Sequence, residues 1–385
     1  MISFQDLFNK LMSIFLNATT SFTYRNNWVI KLSLICYLII IFFSFPSYNE
    51  IKVKPHNTWK VVQQQIDDPT IQYGLDNPES HNAKRTFRLT IPFLFKIFHI
   101  NNPVVIYLFQ QVVLLLFFVL LILFCKDFFP ASRSLWVITP VAVCFTYMGQ
   151  VGIIDVFAKF DSIALCCILA AMYVRNVFFI FFLALAASFI DERGFIALML
   201  IYLWWQIRHR QLHQFGFREL LQPNWQSMSI VLAGISYLLI RFYLIYKYHF
   251  ITVTGGVGLG ILKSQFNMVL FGLWTAFEGF WLLILIAFFV LLRNKQLVLT
   301  IFILMFACPS VLSSFLVMDI TRSLIYCLPV LIMSMYIISK SEQPDYSLKL
   351  ILFVMMINIL VPTYMTEGGF RIEGVNPIFF RIFSL

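Results

Sequence analysis

The sequence predicts an all-α protein, a polytopic transmembrane helical bundle of about 11 spans with a long first extracytoplasmic loop carrying interfacial helices. Three observations predict it. The 385 residues are 60% hydrophobic and only 12% charged, with a mean hydropathy of +0.84. Soluble domains run about 45–50% apolar and about 25% charged. Apolar runs of spanning length recur along the chain, and the sparse charges collect in the connectors between them. This composition excludes a disulfide-rich secreted domain, a disordered chain and a nucleic-acid binder. The net charge of +10 is therefore read as membrane topology. The seven Cys lie in apolar runs without a CxxC or a His at ligand spacing, so they read as small core hydrophobes.

The whole chain, 1–385, reads as one integral-membrane domain. Residues 1–27 carry Lys10 and Arg25 and alternate polar with apolar positions, as in LFNKLMSIF, which suits an interfacial amphipathic helix. Spans follow at 28–46, 104–125, 134–154, 157–174, 176–190, 194–207, 228–246, 268–291, 296–317, 321–338 and 349–365. An inside N-terminus leaves 13 Lys/Arg against five Asp/Glu on the cytoplasmic side and 15 against 13 outside. The connectors RHRQLH at 208–213 and RNK at 293–295 both fall inside.

In this orientation the membrane-level charges fall on the outer side. Asp155, Lys159 and Asp161 stand in DVFAKFD, Asp191, Glu192 and Arg193 in DER, and Asp319 and Arg322 in DITR. Ionisable residues at membrane depth usually mark a pathway, a site or a pair. Runs as short as 176–190 and 194–207 rise about 22 Å, less than the roughly 30 Å core, which draws the DER cluster below the surface. Two readings stand: interhelical salt bridges that fix packing, or one shared outward-facing polar cavity, which is favoured.

The first loop, 47–103, holds the second signal. NTWKVVQQQI reads as a short helix with Asn57 as its N-cap, and DDP and LDNPES as turns. AKRTFRLTIPFLFKIF then reads as an amphipathic basic helix that places Arg85 and Arg88 on one face. It serves either as an anchor on anionic headgroups or as a grip for a lipid-linked phosphate, with a nearby carboxylate as general base. Arg241 and Glu278, embedded in separate spans, are expected to pair, with a ligand contact as the alternative. The glycines of 252–265 form no dinucleotide fingerprint; a flexible or re-entrant outer loop is expected there.

HNTWKVVQQQIDDP followed by KRTFRLTIPFLFKI, after one span and before about ten more, resembles the first-loop run of the GT-C superfamily of membrane glycosyltransferases. The similarity is to its polyprenyl-phosphate-sugar-dependent and mannosyltransferase-like branches. Asn57 stands where many such enzymes carry an acid, so the resemblance moves the base to Glu50, Asp67, Asp68 or Asp76, or to Asp155 or Asp191. It implies Asp76, Asp155 and Asp191 as catalytic candidates. Arg85, Arg88, Lys159, Asp161, Glu192, Arg193, Asp319 and Arg322 are the substrate-binding candidates. The implied partners are a lipid-linked sugar donor, a glycan, lipid or protein acceptor, and membrane lipids, with a divalent metal (Mg or Mn) as cofactor and the bacterial inner membrane as location. A non-enzymatic transporter, flippase or polysaccharide polymerase-like protein of envelope assembly is the alternative function.

Overall fold

The computed structural model describes residues 4–44, 48–53, 57–71, 85–210, 215–250, 257–361, 363, 365–367 and 370–372. The chain opens with α1 (Phe4–Phe22), α2 (Trp28–Ser44), α3 (Tyr48–Val53), α4 (Asn57–Asp67) and α5 (Thr90–Ile97). Its middle holds α6 (Pro103–Phe128), α7 (Arg133–Val143), α8 (Tyr147–Ile154), α9 (Asp161–Tyr173), α10 (Val177–Ile190) and α11 (Glu192–His209). Next come α12 (Phe217–Leu221), α13 (Trp225–Tyr248), α14 (Leu259–Ser264), α15 (Val269–Phe277) and α16 (Phe280–Arg293). The last helices are α17 (Leu297–Phe315), α18 (Ile320–Leu324), α19 (Leu328–Ser341) and α20 (Pro344–Leu360). One short antiparallel hairpin, β1 (Met365–Glu367) with β2 (Phe370–Ile372), pairs Thr366 with Arg371.

Among the described residues four helical segments are long and apolar enough to cross a membrane: α6, α13, α17 and the run Ile320–Ser341 that joins α18 to α19. The count rises to six when each of two bent pairs is taken as one span. One pair is α7–α8, bent by 54°; the other is Phe266–Phe277 with α16, bent by 86°. The apolar helices α2, α9 and α10 are shorter, at 17, 13 and 14 residues. A 14-residue helix such as α10 rises about 21 Å, less than a roughly 30 Å hydrocarbon core.

The bends have local causes. Pro140 lies inside α7, and Thr146 then starts a new helix by accepting from Gly149 N through its hydroxyl. Helix α6 runs through the middle of the bundle, with Tyr107, Phe117, Phe118 and Phe124 closed off from solvent. Helix α13 is its opposite, for Leu239, Phe242 and Tyr246 are 63%, 68% and 76% exposed. An outward apolar face of that extent suits a hydrocarbon surround. Trp204 and Trp205 lie in the core, donating to the carbonyls of Met172 and Ala171. Among the described residues every Cys is a free thiol, and Cys308 is exposed while Cys36, Cys125, Cys144, Cys166 and Cys327 are buried.

Two sequence expectations are corrected. The basic helix expected across 83–98 is, over the described residues 85–98, confined to α5, because Pro92 has no N–H for the bond to Arg88 O that would carry the helix back. Arg85 sits in a single tight turn and Arg88 precedes the helix. Arg241 does not meet Glu278. Its guanidinium bonds Tyr237 Oη at 2.7 Å and stacks 4.1 Å from the Phe87 ring centroid. The glycine-rich connector is pinned where it is described: Gly258 N donates to Leu316 O, and Gln265 Nε2 donates to the carbonyls of Phe315 and Val317.

Candidate functional site

Three short connectors, 155–160, the α10–α11 junction and the start of α18, meet at one end of the bundle. Asp155 shapes the first. Its carboxylate accepts from the backbone N–H groups of Phe157 (3.2 Å), Lys159 (3.0 Å) and Phe160 (2.7 Å). Those bonds hold Ala158 and Phe160 at φ of 53° and 60°, a region that costs a side-chain-bearing residue energy. The first loop braces the same turn. Thr58 Oγ1 and Trp59 Nε1 on α4 donate to Phe157 O and Val156 O, each at 2.8 Å. Arg85 Nη1 and Nη2 donate to Ala158 O (3.1 Å) and Phe157 O (3.3 Å).

The second connector is one residue long. Asp191 ends α10 and caps α11, accepting from Arg193 N at 3.1 Å. The reversal is tight enough that a Cβ on Gly194 would stand 2.3 Å from Ala187 O, so only glycine fits.

Arg322, from the third, is the hub. Its Nε and Nη2 grip both oxygens of Asp161; Nη2 also reaches Asp191 Oδ2 at 3.0 Å and Nη1 reaches Asp319 Oδ2 at 3.1 Å. Tyr326 Oη donates to Asp161 Oδ1 at 2.8 Å. Arg88 Nη2 bridges Asp191 (2.9 Å) and Glu192 (3.2 Å), and Arg193 stands 3.6 Å from Asp191. Lys159 Nζ lies 3.7 Å from Asp319. Arg322 and Asp161 expose 2% and 0% of their side chains, so pairing decides their energy.

Charges set the protonation. Burial alone would raise the pKa of Asp191, but Arg193, Arg88 and Arg322 hold it below the usual carboxylate range. Asp319 follows the same pattern through Lys159, Arg322 and Arg193. Asp155 goes the other way: burial and the neighbouring Asp161 charge raise it, opposed by Arg322, Lys159 and the Phe160 N–H. Arg85, 3% exposed, meets two carbonyls and no carboxylate among the described residues, and its Nε has no hydrogen-bond partner there. Burial and the like charges of Arg88 and Arg322 pull its pKa down. Arg88 Nε is likewise unpartnered among the described residues, and both arginines line one cavity of about 10 Å³ with Gln65, Pro92 and Phe160. That is room for about one water.

The convergence expected of the three clusters is therefore observed, with Arg85 and Arg88 joining them. The open polar cavity is not. Asp155, Asp161, Asp191, Glu192 and Asp319 are matched in number by Arg85, Arg88, Lys159, Arg193 and Arg322, and most of these close on one another. Asp76 lies outside the described residues. Glu192, with a third of its side chain exposed, is the most accessible carboxylate of the group. Tyr326 and Trp59 are the partners that the charge-based reading passed over, although Trp59 stands in the very stretch that carries the resemblance.

Magnesium or manganese fits this arrangement poorly. Among the described residues no three His, Cys, Asp or Glu side chains are grouped to hold a metal. The guanidinium of Arg322 occupies the point on which Asp161, Asp191 and Asp319 converge. Comparison with protein-family models, with curated proteins and with solved structures finds no match to this chain.

Proposed function

We propose that this chain is a membrane glycosyltransferase of the GT-C kind, moving a sugar from a polyprenyl-phosphate donor to an acceptor hydroxyl on the extracytoplasmic side. The observation that carries the reading is the pair Arg85 and Arg88. Two adjoining guanidinia, each with an Nε that has no partner among the described residues, line one cavity beside the accessible carboxylate Glu192. The cavity must widen beyond its one-water size to admit an anionic phosphate, which would then relieve the electrostatic strain on Arg85 and make charge-assisted bonds. In this reading Glu192, or Asp76 from the first loop, takes the proton of the acceptor hydroxyl as the anomeric carbon is attacked. The leaving phosphate stays on the arginines. Asp155, Asp161, Asp191, Asp319 and Arg322 hold these groups in place. The donor enters sideways from the bilayer along α5, whose Phe93 and Ile97 are 59% and 58% exposed.

The topology proposed with it is the eleven-span arrangement with a cytoplasmic N-terminus, in which short helices such as α9 and α10 also cross. The opposite end of the bundle, with Arg208 3.5 Å from Asp127 and Arg293 paired to Glu342, then faces the cytoplasm. Two bent helix pairs support a second reading, a transporter or flippase for a lipid-linked sugar, because discontinuous helices often build transport sites. Equilibrium binding of short-chain polyprenyl-phosphate sugars to the purified protein, followed by product analysis, separates the two. Binding with transfer supports the transferase, binding without transfer supports the carrier, and no binding removes both.

A further inference from the structure

Glu278 is the most isolated charge-bearing side chain in the described bundle. It lies between α15 and α16 at the 86° bend, is 0% exposed, and both carboxyl oxygens lack a hydrogen-bond partner among the described residues. Its backbone is held at φ 48° and ψ −125°, a strained conformation for a residue with a side chain. The adjoining position is closed to change, since a Cβ on Gly279 would stand 2.7 Å from Asn358 Oδ1 and 3.0 Å from Val354 O.

The second helix break faces this one. Asn358 on α20 links the two, accepting from Gly279 N at 2.8 Å and donating to Ala142 O, at the end of α7, at 3.1 Å. Thr363, which follows the same helix α20, donates its hydroxyl to Phe145 O in the α7–α8 break at 2.8 Å. Because Gly279 N turns to Asn358, the last carbonyls of α15 lose the donor that would continue the helix. They present the negative end of the helix dipole toward the same place. Every polar atom named here that remains able to bind is an oxygen: the carboxylate, a hydroxyl, an amide oxygen and main-chain carbonyls. A single negative charge among neutral oxygens matches a hard, singly charged ion. Unwound helix ends with a lone carboxylate are a recurrent setting for such ions in membranes.

We propose that Glu278, with Thr363, Asn358 and the carbonyl end of α15, binds a monovalent alkali cation between the two helix breaks. The cation supplies the positive charge that no described side chain offers. The site adjoins the ion network, because Thr275, one turn before Glu278, shares a 2.7 Å hydrogen bond with Thr321, the neighbour of Arg322. It is independent of the transferase reading: a cation response can be present whether or not donor transfer is found.

The test uses the full chain in a neutral detergent, with sodium, potassium or choline chloride at equal ionic strength. The unfolding midpoint should rise saturably in sodium or potassium by about 3 °C or more over choline. Glu278→Gln should abolish that rise, while Asp345→Asn, an exposed carboxylate in the first turn of α20, should retain it. If Glu278→Gln does not fold, Thr363→Val serves instead, and the half-saturating cation concentration should increase several-fold. Equal midpoints in all three salts overturn the proposal, as does an undiminished response in Glu278→Gln or an unshifted half-saturation in Thr363→Val. A midpoint that follows pH and ignores the identity of the salt also overturns it, leaving a proton as the occupant.

Discussion

Arg322 grips Asp161 through both Nε and Nη2, although the two residues lie 161 positions apart in the chain. The pair ties α18 to the start of α9, and through Asp191 to the α10–α11 junction. Removing one partner leaves uncompensated buried charge. Arg322→Met should therefore lower stability by about 3–5 kcal/mol, and Asp161→Asn by a comparable amount. Thermal unfolding of the purified variants measures this. A change within about 0.5 kcal/mol, the range typical of surface substitutions, would show that the network is not buried as described.

The Asp155 turn makes a separate prediction. Asp155→Ala removes the acceptor for three backbone N–H groups and frees a turn with two residues at positive φ. Each stranded donor costs roughly 1–3 kcal/mol, so the loss should exceed that of a single hydrogen bond. Asp155→Asn keeps one acceptor oxygen and should fall between wild type and alanine. Proteolysis within 155–160 reads the outcome independently, and equal resistance in all three proteins would count against the turn.

The pH dependence follows from Asp191 and Asp319. Both are held below the ordinary carboxylate range when folded. Their contribution is thus complete above the unfolded value of about 3.9 and disappears as pH falls through the lower folded values. Stability should lack a step from these groups between about pH 5 and 8 and decline as pH drops below about 4. Arg322→Met should weaken that acid dependence, since it removes one of the charges holding both carboxylates down. An acid limb unchanged by the substitution would assign the loss to other groups.

Orientation is tested by labelling. A single cysteine placed at Lys295, in the short connector between α16 and α17, should react with an impermeant maleimide only after the cytoplasmic face is opened. Reaction in intact cells would invert the topology and carry the ion network to the other side of the membrane.

The sequence made the clusters legible and left their closure hidden. DVFAKFD, DER and DITR could be placed at span ends because charges are so sparse in this chain. Their meeting follows from short helices such as α10, which bring connectors to one depth. Nothing in the spacing said that one guanidinium would satisfy three of the carboxylates, because Arg322 lies more than 125 residues beyond Asp161 and Asp191 in sequence. The stretch NTWKVVQQQI was readable as a helix, and α4 is that helix. The α5 error had a visible cause, for Pro92 was present to forbid the longer helix. Span 268–291 reads as one apolar run, yet it bends at Glu278-Gly279, where a charge next to a helix-breaking glycine was the available signal. Arg241 and Glu278 were matched by sign alone, and depth and direction decided otherwise.

The Arg85 and Arg88 prediction concerns affinity. Arg85→Gln and Arg88→Gln should each weaken binding of a polyprenyl-phosphate sugar by about tenfold or more, the loss of one charge-assisted interaction. Free polyprenol, which lacks the phosphate, should bind wild type and variants alike. Discrimination against polyprenol that persists in both variants would move the phosphate elsewhere.

The central claim is that sugar transfer takes place beside the ion network. It is tested by the rate of sugar release from labelled polyprenyl-phosphate donors to acceptor, comparing wild type with Glu192→Gln, Asp76→Asn and the double variant. Transfer by wild type and a loss of about 100-fold or more in at least one single variant, the usual worth of a general base, is the predicted result. Transfer that persists at the wild-type rate in the double variant would contradict it.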